Sequence, residues 1–121
     1  MFAAILLAAS AVDPVAGTWE GTSLCQVKPS PCHDEHVIYR IKQTAPQHYR
    51  IDAYKLVAGQ ELFMGAVDVA FDSSTGLLDG AIVSGAKAVA RLRLTLRGAR
   101  LTGWMTLTDG SLYRLIDVAK R

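Results

Sequence analysis

No sign of charge dominates this chain: 13 Lys and Arg against 11 Asp and Glu leave a net charge of +2. So small a surplus gives no electrostatic footprint for nucleic acid. After residue 11 no apolar run approaches the roughly 20 residues that a helix needs to span a bilayer. Cysteine is limited to Cys25 and Cys32, and the six residues between them are not the two of a redox motif. No Gly-rich phosphate loop and no Gly-x-Ser-x-Gly nucleophile motif occurs, although serines are plentiful. The sequence therefore offers no catalytic residue and no cofactor site by motif.

Half of the 121 residues are hydrophobic and 20% are charged, which suits a single globular domain. Met1 to Ala11 carry no charge, Phe2 to Ala9 are apolar, and Ala9-Ser10-Ala11 has the small-x-small form that signal peptidase accepts. The Lys or Arg that normally opens such a leader is missing. Residues 1–11 are accordingly expected to be a signal peptide. The expected domain is 12–121, in the periplasm or secreted, where a Cys25–Cys32 disulfide is stable.

Beyond residue 12 the hydrophobic pattern has a period of two. In Arg91-Leu-Arg-Leu-Thr-Leu-Arg97 the leucines fall on one face of a strand and the arginines on the other. A helix would scatter those leucines around its axis. The same alternation marks Trp19 to Cys25, Val37 to Ile41, Tyr49 to Leu56, Leu62 to Phe71, Leu77 to Ser84, Leu101 to Leu107 and Leu112 to Ala119. Polar or Gly-bearing turns separate them, as at Asp72–Gly76, Arg97–Arg100 and Thr108–Ser111. The pattern predicts an all-β domain. Its expected form is an eight-stranded antiparallel up-and-down meander closing into a small barrel, with a β-sandwich as the alternative.

Gly17-Thr18-Trp19, opening the first strand, resembles the Gly-x-Trp signature of the lipocalins and related barrels. That resemblance implies that Trp19 closes one barrel end and that an Arg near the last strand packs on it, a role Arg114 would take. It also implies a small apolar ligand. The chain departs from the family in lacking room for a C-terminal helix and the Thr-Asp pair before the seventh strand. The stretch from Gly17 through Glu35 also resembles a group of small exported bacterial proteins, which implies export and no particular activity. Ser84-Gly85-Ala86-Lys87 resembles the loop of periplasmic lysozyme inhibitors without its following Tyr.

Two surfaces are candidates for function. His33, Asp34, Glu35 and His36 are types that hold zinc or copper. In an extended segment His33 and Glu35 point one way and His36 the other, so His48 would have to complete a set. A solvated loop is the alternative, with Asp34 and His36 bonding the disulfide loop. Arg91, Arg93 and Trp104 form an outer patch suited to an anionic glycan or headgroup. The functional expectation is an exported, non-enzymatic barrel that binds a small apolar ligand or an envelope partner. Its alternatives are a metal protein or hydrolase at His33–His36 and an inhibitor-type periplasmic protein.

Overall fold

The computed structural model describes residues 13–29 and 31–121; the expected signal peptide, residues 1–11, lies outside them. Eight strands run in sequence: β1 (Gly17–Cys25), β2 (Glu35–Ala45), β3 (His48–Val57), β4 (Gln60–Asp72), β5 (Leu77–Ser84), β6 (Lys87–Arg97), β7 (Arg100–Leu107) and β8 (Leu112–Lys120). Each pairs antiparallel with its sequence neighbour, and β1 pairs with β8, so the sheet is a closed barrel rather than a sandwich. Closure results from the connections. Hairpin turns such as Ala58-Gly59, with positive φ at both positions, hold successive strands side by side. A meander of eight has two edges left, and joining them removes the exposed ladder.

The turns sort the barrel into two ends. The β2–β3, β4–β5 and β6–β7 turns lie at one end, with segment 13–16. At that end the interior is packed solid by Val15, Trp19, Tyr49, Leu78, Leu94, Leu101 and Val118, all buried. Asp13 Oδ1 accepts from the Val15 and Ala16 amides, Asp13 Oδ2 accepts from the Tyr49 hydroxyl at 2.8 Å, and Trp19 Nε1 donates to the Val15 carbonyl at 2.9 Å. These bonds tie the segment across the barrel base and satisfy the polar groups that come with it.

The other end carries the β1–β2 loop, bridged by the Cys25–Cys32 disulfide, and the β3–β4, β5–β6 and β7–β8 hairpins. Here small residues replace large ones on the inner face. Gly65 continues the row of Val67 and Val69 on β4, and Ala53 continues that of Ile51 on β3. Bulges at Ala53/Tyr54 and at Ile82/Val83 interrupt the ladders at this end.

Candidate binding cavity

The thinning of the inner face leaves a cavity of about 250 Å³ at the open end. One wall is apolar: Ile51 and Ala53 from β3, Val67 from β4, Ile82 from β5, Leu92 from β6 and Met105 from β7. The opposite wall is polar and comes from the strands that flank the closure seam. It comprises Ser23 of β1, Glu35 and Tyr39 of β2, and Arg114 of β8. The period-two rule brings them together, since Ser23 pairs across with Glu35 and Arg114 is inward on β8 with Ile116 and Val118.

Arg114 is 7% exposed and is held by several acceptors. Its Nη1 donates to the Ser23 carbonyl and hydroxyl, both at 3.2 Å, and to the His33 carbonyl at 3.1 Å. Its Nη2 reaches Cys32 Sγ at 3.4 Å, and Glu35 Oε1 stands 3.6 Å from Nη1. Lys55 Nζ approaches the other Glu35 oxygen at 3.9 Å. The guanidinium thus fastens the disulfide loop to the barrel mouth, with charge-assisted bonds that a lysine could not fan out in the same way. Burial pushes the Tyr39 hydroxyl well above the ordinary range; the Glu35 carboxylate adds to this and Arg114 opposes it. Tyr39 therefore stays a neutral donor or acceptor facing the cavity.

The structure corrects the expected contact between Trp19 and Arg114. Trp19 is opposite Lys120 in the β1–β8 ladder, whereas Arg114 is opposite Cys25. Six residues of strand separate the two levels, or about 20 Å. The cation over the indole is Lys120, with Nζ 5.6 Å from the ring centroid, and Arg114 lies over Tyr113 at 5.0 Å instead.

The expected metal set does not converge. No group of three or more His, Cys, Asp or Glu that could hold a metal occurs among the described residues. His36 points outward and bonds Glu20, and Glu35 points inward to Arg114. Asp34 accepts from the Cys25 amide at 2.9 Å, so its part is to shape the disulfide loop. His33 contributes its carbonyl to Arg114. His48 begins β3 at the opposite end of the barrel. A hydrolase centred on His33–His36 loses its grouping for the same reason.

Arg91, Arg93 and Trp104 do share the outer face, with Arg93 directly across from Trp104. Arg91 is occupied by a two-pronged pair with Asp79 at 2.8 and 2.9 Å. The Ser84–Lys87 turn is exposed at the open rim. Sequence reasoning does not single out Tyr39 and Ser23 as site residues. Their parity with Arg114 and Glu35 is visible in the sequence, but which end of the barrel stays hollow depends on register. No protein-family model matches the chain, and no curated protein sequence matches it.

Proposed function

We propose that this barrel is an exported, non-enzymatic binding protein for a compact amphipathic molecule with an apolar body and an acidic head. The division of one cavity into an apolar wall and a polar wall carries the reading. Such sites combine apolar lining for affinity with a few polar groups for orientation. Arg114 in the polar wall and Lys55 beside it share one carboxylate, Glu35, so this side of the mouth carries one cation in excess and favours a negative head. The volume suits on the order of ten non-hydrogen atoms. Export rests on Ala9-Ser10-Ala11 and on the disulfide.

Titration with phenylpropanoate, monitored by amide and methyl NMR shifts, tests the reading. Shifts at Ile51, Ile82, Met105, Tyr39 and Arg114 are expected, with weaker binding of the uncharged amide analogue. Shifts confined to the outer face, or no preference for the acid, would overturn it.

A further inference from the structure

The barrel wall is open between β4 and β5. These strands pair only from Asp72–Leu77 to Ala70–Asp79, whereas β3 and β4 pair along ten residues of each. Beyond Ala70–Asp79, residues 60–69 of β4 and 80–84 of β5 run on without a shared ladder. At Gly80 the two strands still touch, since a Cβ there would lie 2.2 Å from the Asp68 carbonyl oxygen, so the slot lies beyond that level, along residues 60–67 of β4 and 81–84 of β5. The cavity runs into the slot, for it is lined by Met64 and Ala66 on one bank and Ile82 and Val83 on the other. Apolar side chains crowd the rim: Leu62, Phe63 and Met64 are exposed on β4, and Val83 is 58% exposed on β5.

Alternate residues of a strand aim their N–H and C=O groups to opposite sides. On β4 one set bonds β3 and the other aims into the slot. That row of backbone groups selects its occupant. An alkyl chain seated there would strip water from the donors and acceptors and return no hydrogen bond. A polypeptide in extended form returns each of them. We propose that the slot edge of β4 docks an extended polypeptide segment of a partner, added as a strand antiparallel to β4.

Side-chain chemistry narrows the segment. Its inward residues enter the cavity mouth and are apolar. Its outward residues lie between β4 and the β5–β6 bank, where the cations Lys87, Arg91 and Arg93 outnumber the carboxylates Asp79, already held by Arg91, and Asp68 of β4. Lys87 and Arg93 have no ion-pair partner among the described residues. Acidic residues therefore fit the outward positions. The site stands on strand pairing and not on the small-molecule reading, so the two fail separately.

Hydrogen–deuterium exchange of the whole protein tests it, with the synthetic peptide acetyl-Val-Glu-Val-Thr-Val-Glu-Val-amide. Two control peptides are N-methylated, one at the Val residues and one at the Glu and Thr residues. Without peptide, slot-facing amides in residues 60–67 should exchange faster than those of β6. The unmodified peptide should slow them roughly tenfold or more, an effect weakened by salt. At least one N-methylated peptide should have no effect, because it lacks the donors that face β4. Slow exchange along all of β4 without peptide overturns the proposal. So does protection placed elsewhere, equal protection by both N-methylated peptides, or no protection.

Discussion

Lys120 Nζ stands 5.6 Å from the centre of the Trp19 ring and donates to the Asp13 and Pro14 carbonyls at 3.2 and 3.4 Å. The last strand thereby clamps the base segment and the indole in one contact. Arg114, six residues earlier on the same face, does a different job at the mouth.

Methionine at each position should separate the two roles. Lys120→Met loses a half-exposed cation–π contact and two carbonyl bonds, and about 1–2 kcal/mol of stability is expected to go with them. Arg114→Met leaves Glu35 without its close cation and strips the donor from Ser23 and the His33 carbonyl. A larger loss, about 2–4 kcal/mol, is expected. Trp19 fluorescence should change for Lys120→Met and stay put for Arg114→Met. Denaturant unfolding with tryptophan emission measures both; an indole that responds to Arg114 and not to Lys120 contradicts the assignment.

The disulfide spans a sequence separation of 7 at the cavity mouth. Chain entropy for so short a loop gives about 2–3 kcal/mol of stabilisation. The double variant Cys25→Ala/Cys32→Ala is expected to unfold earlier by that amount. It should also release the His33 carbonyl from Arg114, which exchange of the loop amides reads directly. A variant as stable as the parent would show that Arg114 and Asp34 hold the loop unaided.

Strand positions were legible because every strand has one wet and one dry face. Leu92, Leu94 and Leu96 announce β6, and the turns flanking it announce its neighbours. The fate of Arg114 was harder. Arg114 and Lys120 are both cations of even parity on β8, and parity says nothing about which level of the barrel a residue occupies. Chain direction does: an antiparallel seam sets the start of β1 against the end of β8, so Trp19 meets Lys120. The split between β4 and β5 coincides with a loss of alternation, in Leu62-Phe63-Met64 on β4 and Ile82-Val83 on β5, but an apolar run by itself does not say that the ladder is missing there. Two bulges lie along it, at Ala53/Tyr54 and Ile82/Val83, and bulges leave little trace in a single sequence.

Gly21 belongs to the seam. A Cβ there would lie 2.0 Å from the Asp117 carbonyl oxygen and 2.8 Å from Val118 Cα, both backbone atoms of β8. Neither can yield without opening the β1–β8 ladder. Gly21→Ala is expected to cost about 2–3 kcal/mol, at the upper end for overpacking. Thr22→Ala, on the exposed outer face next door, should stay within about 0.5 kcal/mol of the parent. Thermal melts of the two variants side by side provide the measurement, and equal effects would place the seam elsewhere.

The bond between Asp13 and Tyr49 predicts opposite behaviour at the two ends of the pH scale. For Asp13, burial raises the carboxyl, but the Ala16 and Val15 amides, the Tyr49 hydroxyl and the Lys120 charge outweigh it, and the net shift is below 3.8. A depressed carboxyl stabilises the fold above its unfolded value, about 3.9, and loses that effect as pH falls through the folded value. For Tyr49, burial first and Asp13 second push the hydroxyl up to about 12 from 10.0. Its contribution is intact below pH 10 and disappears as pH climbs towards about 12, because the unfolded chain ionises first. Asp13→Asn should therefore flatten the acid limb of stability against pH, and by removing the carboxylate it should also bring Tyr49 ionisation down. Tyr49→Phe should flatten the alkaline limb and delete one tyrosinate step from the ultraviolet titration. Urea unfolding across both limbs, with the tyrosinate band recorded in parallel, reads all four effects. If Tyr49 ionises at the same pH in the parent and in Asp13→Asn, the two side chains are not coupled, and the base segment is held by Trp19 and Lys120 alone.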